Sequence, residues 1–376
     1  MLLLPALFLA LPASAQDRDE KSATIVVTGA SLADSEARLA ACLARKCPPK
    51  EDIEASLAHA ENQFIAGDYG GARRTLGKSR GRNNRYAKLL PIEVSDLNRA
   101  HGRLSNLDGR PDQSRLLQIE ALDALKAGLD DNDTRVFMQQ LMVGDEFARV
   151  GRLRAAEEVY RRVAKRARKA GHLHVVGYAM LREAVMFGAI ASVQPDYRSA
   201  AKRKITNIER TIEPELAGFR DAAKLLRASL AAYENDSDAL EKAIAAIPPR
   251  ESGRPVLIYA PPVRLEKIVA NSEEILPPQQ DDPQWVDVRF QIAADGRVQD
   301  AEVLRDSGNI ERDWPKLALE SVSRRRYAPL VAQGTTRIER FSYVHDLMTR
   351  TGSRITGRAN NGRLTSLDIT DDAPRN

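Results

Sequence analysis

Between residues 284 and 344 the apolar positions change their period, and the changes outline one small module. Val286, Val288, Phe290 and Ile292 alternate with polar residues, which predicts a half-buried strand. Ala293-Ala294-Asp295-Gly296-Arg297 supplies a turn, and Val298 to Leu304 predicts a second strand. After the break at Ser307-Gly308-Asn309, Trp314, Leu317, Ala318 and Val322 recur at helical spacing between Asp313 and Arg325. Tyr327-Ala328-Pro329-Leu330 then leads to a last apolar stretch, Ile338 to Val344. The prediction is a sheet covered by one helix, with no obvious pocket and no nucleophile. Such a module suits binding better than catalysis.

Residues 50–247 follow a different rule, with apolar positions at helical spacing almost throughout and few prolines. Leu57, Ala60 and Phe64 mark one helix, Gly67-Asp68-Tyr69 a turn, and Ala72 with Leu76 the next helix. The pattern returns with Phe147, the turn Val150-Gly151-Arg152-Leu153, and Ala155, Ala156, Val159 and Tyr160. These two segments resemble tetratricopeptide repeats, although no strict 34-residue period runs through the degenerate stretch Arg80 to Asp131. Further helices are predicted at about 172–191, 196–212, 214–233 and 236–246. The resemblance implies an α-solenoid, an architecture that presents a concave surface to protein partners.

Between 248 and 283 the composition shifts: eight of the chain's 19 prolines fall there. This is a linker or lead-in, with Val256-Leu257-Ile258-Tyr259 apolar enough to pack on the module that follows. Residues 349–376 form a polar tail, expected to be flexible apart from a short strand at Leu364 to Ile369. At the other end, Met1 to Leu11 is apolar and Ala13-Ser14-Ala15 precedes Gln16, the pattern of a cleaved signal peptide spanning 1–15. The run is short for a bilayer span and carries no Lys or Arg; an uncleaved inner-membrane anchor facing the periplasm is the alternative. No other stretch is predicted to cross a membrane. Residues 16–49 form a leader with the β-prone segment Thr24-Ile25-Val26-Val27-Thr28, followed by a short helix ending near Ala44. Cys42 and Cys47 lie five apart; a bridge between them suits an oxidising compartment but requires the chain to bend.

Charge changes this picture little. Fifty-seven Lys and Arg stand against 52 Asp and Glu, a net +5 that reads as a mixed, solvated surface and not as a nucleic-acid footprint. The sequence carries no phosphate-binding glycine loop and no nucleophile elbow, and its five histidines lack the neighbours of a metal site. No catalytic residue, cofactor or metal is predicted.

Residues 256–348 resemble the C-terminal domain of the TonB energy transducers. The resemblance rests on the strand, the turn Ala294-Asp295-Gly296-Arg297-Val298, the break Val303-Leu304-Arg305-Asp306-Ser307-Gly308-Asn309, the helix and the exit Arg324-Arg325-Arg326-Tyr327-Ala328-Pro329-Leu330. It implies an α+β protein of more than one domain, with the solenoid at 50–247 and a TonB-like domain at 284–348. It further implies a periplasmic protein of the Gram-negative envelope that adds a strand from an outer-membrane receptor to its sheet edge. The edge expected to do so is Arg337, Ile338, Glu339, Arg340, Phe341, Ser342, Tyr343 and Val344. Thr24 to Thr28 resembles the TonB box by which receptors engage the transducer, so this strand is a candidate to pair with that edge in the same molecule or a neighbour. The competing expectation is a helical scaffold that binds its partner in the groove, the C-terminal module serving to pack or anchor.

Overall fold

The computed structural model describes residues 31–233, 237–249, 255–261, 263, 283–311, 313–331, 334–349 and 356–370. The signal-peptide segment and the TonB-box-like strand at Thr24 to Thr28 lie outside them. The chain is an α+β protein with a helical N-terminal region and antiparallel sheets at its C-terminal end.

The helical region opens with α1 (Leu32–Ala44), started by a capping box in which Ser31 and Asp34 satisfy each other's backbone N–H. Five helix pairs follow: α2 (Pro49–Ile65) with α3 (Tyr69–Asn83), α4 (Pro91–Leu107) with α5 (Pro111–Gly128), and α6 (Thr134–Arg149) with α7 (Leu153–Lys169). Then come α8 (Leu173–Val193) with α9 (Arg198–Glu209), and α10 (Ala217–Tyr233) with α11 (Ser237–Ala245). The turns inside the first three pairs carry glycines with positive φ at the even spacing 67, 109 and 151. The stretch that looked degenerate is therefore a full pair, α4–α5, and the repeat is longer than 34 residues. Short connections make neighbours antiparallel, so all three glycine turns lie at one end of the stack. Helix α8 is long and apolar enough to span a bilayer by length and composition, contrary to the sequence expectation; 61% of that window is buried, as in a core helix. Its Leu181 and Ala184 pack with α9 and α10, and its Val175 and Ile190 with α6 and α7.

The bridge between Cys42 and Cys47 is formed. The bend it needs comes from the end of α1, where Lys46 adopts φ 53°, before Pro48 and Pro49 start α2. Glu51 lies beside the two sulfurs, but sulfurs bonded to each other offer no thiolate to a metal.

The C-terminal region begins with β1 (Leu257–Tyr259) and continues through β2 (Gln284–Ile292), β3 (Val298–Asp306), α12 (Trp314–Ser323), β4 (Arg326–Tyr327), β5 (Thr335–Thr349) and β6 (Thr356–Asp368). The lead-in packs on the module as expected, β1 pairing with β4. The main sheet is antiparallel in the order β3-β2-β5-β6. The alternation read from β2 holds: Val286, Val288, Phe290 and Ile292 face Trp314, Ala318 and Val322 of α12 in one buried cluster with Phe341 and Tyr343.

Two expectations fail here. The tail is not free beyond 349, because β6 is a long strand hydrogen-bonded to β5 from Glu339 to Thr349. The stretch Arg337 to Val344 is consequently not an open edge, since β2 takes one side of it and β6 the other. Its first residues are held by the chain after β6, where Thr370 Oγ1 accepts from the Ile338 amide at 3.0 Å and Ile369 N–H donates to Ile338 O. In this arrangement Thr24 to Thr28 finds no vacant ladder at 337–344. The physical reason is that β5, fifteen residues long and paired with β2 on one side only, presents a second row of backbone N–H and C=O groups, and the tail satisfies them.

Candidate functional site

The second face of the sheet is where the two regions meet. Alternation places Trp285 and Asp287 of β2, Arg340, Ser342 and Val344 of β5, and Arg305 of β3 opposite the α12 face. Register sets Asp287 directly across from Arg340 on one side and Arg305 on the other. The Asp287 carboxylate accepts from Arg340 Nε at 2.7 Å and Nη2 at 3.0 Å, and from Arg305 Nε at 2.6 Å. Asp287 and Arg340 have no exposed side-chain surface.

One carboxylate between two guanidiniums leaves a surplus positive charge in a dry place. The end of α2 meets that charge. The last carbonyls of a helix lack partners and carry the negative end of its dipole. Arg340 donates to Phe64 O at 2.6 Å and to Ile65 O at 2.9 Å, and Arg305 to Ile65 O at 3.3 Å. The α2 terminus can be approached because Gly67, at φ +91°, closes it in a Schellman turn: Gly67 N–H donates to Phe64 O and Asp68 N–H to Gln63 O. The Arg340 guanidinium lies 3.9 Å from the Trp285 ring centroid and 5.3 Å from that of Phe64, a cation held between two π faces. Burial pulls the Arg340 pKa down, but the hydrogen bond to Asp287 and neighbouring negative charge raise it overall, so the group stays charged. Tyr69, which begins α3, places its hydroxyl 3.2 Å from Ser342 Oγ, and burial holds its pKa above the usual tyrosine range.

A second contact repeats the device. At the α4–α5 turn, Gly109 accepts from the Leu347 amide at 2.7 Å. Arg363 of β6 pairs with Asp346 of β5 at 2.8 Å and donates to Asn106 O and Oδ1 near the end of α4. Trp285 and Leu367 complete the apolar cluster of α2 to α5, so part of that core is supplied by the sheet. The far end is tied as well. Arg326 meets Glu241 of α11 at 3.0 Å, Tyr233 donates to Ala260 O at 2.7 Å, and Val256, Ile258 and Ala328 pack with Ala228, Leu240 and Ile244. The sheet module therefore holds the first two pairs and the last.

The residues expected to form the binding edge are thus divided by alternation. Arg340, Ser342 and Val344 point into the junction, while Phe341 and Tyr343 point into the α12 core. Glu339 pairs with the buried Arg325 at 2.8 Å, and Arg337 with Asp368. Burial lowers Arg325 and the Glu339 charge raises it, with a net rise; burial pushes Tyr327 beside it up to about 12. Sequence reasoning missed Asp287, Arg305, Asp346 and Arg363. The available signal was opposite charges at matching heights on three strands, which pattern reading assigns to a solvated face. Compared with known proteins, the chain matches no family model and no curated protein.

Proposed function

We propose that this chain is a strand-recognition protein of the Gram-negative envelope, exported to the periplasm, whose TonB-like sheet engages a strand of an outer-membrane receptor or another envelope protein. It acts by binding and not by catalysis, and the helical pairs serve as its rigid mount. The supporting observation is the unequal character of the two edge strands, β6 and β3. Strand β6 opens with Gly357, Asn360, Asn361 and Gly362, residue types depleted in strands, which pair along His345 to Met348, while β5 carries the strong strand formers Phe341, Tyr343 and Val344 opposite Ser366, Leu364 and Arg363. The opposite edge, β3, is blunted by two register shifts, by Asp300 at φ +48° and by the exposed Glu302 and Asp306. The replaceable strand is β6, and a receptor strand would take its place on β5.

The test uses a synthetic peptide with the sequence of Ala23–Gly29 and calorimetric titration. Thr365→Pro removes a β6 ladder donor and should strengthen peptide binding to the full chain several-fold. Phe341→Pro, in β5 itself, should abolish it. Peptide binding that is absent from both the parent chain and the Thr365→Pro variant sinks the proposal. The second reading, a helical scaffold with the sheet as packing module, is favoured by one feature: Arg340 and Trp285 weld the sheet to α2. That reading predicts a partner whose affinity ignores both prolines.

A further inference from the structure

The charge that looked evenly mixed along the chain is not evenly placed in space. From Arg152 to Lys169 the chain carries eight cations and two carboxylates, an excess larger than the net +5 of the whole protein. Helical spacing puts Ala156, Tyr160, Val163 and Ala167 of α7 in the core and Arg154, Arg161, Arg162, Lys165, Arg168 and Lys169 outside. At 1.5 Å per residue this stripe runs for roughly 20 Å.

Helix α9 reaches α7 through Lys204 and carries exposed cations of its own. Lys204 of α9 reaches Glu157 of α7 at 2.9 Å and Glu183 of α8 at 2.6 Å, leaving Arg203 and Arg210 exposed. One of the two α7 carboxylates is thereby engaged inward, and the other, Glu158, is shared by Arg161 and Arg162. Arg154, Lys165 and Lys169 have no acidic partner among the described residues. Helix α3 is nearly as rich in arginine, but there Arg73, Arg80 and Arg82 are consumed by Asp108, Glu120 and Asp52. On α3 that leaves Arg74 and Lys78 exposed, against six exposed cations on α7.

A second feature points to what it meets. Arg168 pairs with Glu213, which brings the loop after α9 to the end of the stripe. Ile212 in that loop is 89% exposed, the most exposed of the large apolar side chains among the described residues. No aromatic residue is exposed along α7 or α9 for base stacking, as a single-stranded nucleic-acid surface would use. A flat basic stripe ending in a bare aliphatic side chain fits headgroups and the acyl boundary just beneath them.

We propose that the α7–α9 face docks on an anionic phospholipid surface, with Arg154, Arg161, Arg162 and Lys165 over the headgroups and Ile212 inserted at the rim. Each cation near such a surface adds to the attraction, which fades within a Debye length. The full chain should sediment with vesicles of phosphatidylglycerol and phosphatidylethanolamine, not with phosphatidylcholine alone, and should detach as salt is raised. Arg161→Glu, Arg162→Glu and Lys165→Glu together should reduce the bound fraction at least tenfold, and the matching glutamine triple should fall between. Arg74→Glu, Lys78→Glu and Lys88→Glu, with the same change of net charge on another surface, should bind as the parent does. Ile212→Ser should weaken binding several-fold with the charges intact. Three results would overturn the assignment: no sedimentation, an equal loss in the control triple, or duplex DNA competing the protein off the vesicles at stoichiometric amounts with the α7 triple abolishing DNA binding as well.

Discussion

Gly109 and Gly151 occupy equivalent turns in consecutive helix pairs, with φ of +69° and +76°, yet their surroundings are opposite. A Cβ on Gly109 would lie 2.3 Å from the His345 carbonyl oxygen, whereas a Cβ on Gly151 would meet nothing within 4 Å. The two turns close their helices in the same way. Only the first is covered, because β5 and β6 bring Asp346, Leu347 and Arg363 to it. A repeat thus makes several copies of one surface, and a later part of the chain chooses which copies it occupies.

The sharpest way to break this contrast is at the buried pair. Asp287→Ala would strand Arg340 and Arg305 without a counter-ion in a dry junction and should cost about 3 to 5 kcal/mol in chemical denaturation. A loss under about 1 kcal/mol would mean that the junction opens to water. The glycines test the comparison directly. Gly151→Ala should cost about 1 kcal/mol, the left-handed strain alone. Gly109→Ala adds a backbone clash and should lose about 2 kcal/mol more, together with slowed exchange protection at the Leu347 amide becoming fast. Equal losses at the two sites would remove the distinction between covered and open turns.

Acid should reveal the covered pairs next. His101 of α4 is buried beside Arg80 and Arg73, and burial first, then those charges, lowers its pKa to about 4. The unfolded chain takes up that proton near pH 6.5 and the folded one does not. Stability is therefore full above about 6.5 and falls as pH drops toward 4, by about 2 to 3 kcal/mol for this group. In His101→Gln that part of the decline should vanish from the stability-against-pH curve; an unchanged curve would assign it elsewhere. A modest effect is expected at Arg363→Ala, about 1 to 2 kcal/mol, since its site retains some access to water and the Asn106 carbonyl can be rehydrated. A larger loss than at Asp287 would reverse the ranking of the two clamps.

Much of this was readable from the sequence where the cause is local. Gly67 and Gly151 mark turns because few other residues accept positive φ, and the alternation of β2 names one buried face correctly. The same alternation misleads about the other face. Period two says which side chains share a side, not whether water or a second domain covers that side, so Asp287 and Arg340 looked solvent-facing. The expected open edge at Arg337 to Val344 failed for a related reason. The second half of β6 lies within the short strand expected from Leu364, but its first half, with Gly357, Asn360, Asn361 and Gly362, has little intrinsic tendency to be a strand and is held by the ladder that β5 offers.

By itself, then, the sequence determined most of the helices, the glycine turns at Gly67 and Gly151, and the core of the C-terminal sheet. Each follows from propensity, periodicity and turn chemistry acting within a few residues. The tertiary structure alone decided which turns the sheet covers, that β6 closes β5, and that most cations of α7 are left exposed while Arg73, Arg80 and Arg82 of α3 are paired. These depend on which distant groups arrive at the same place, and no local pattern encodes that arrival.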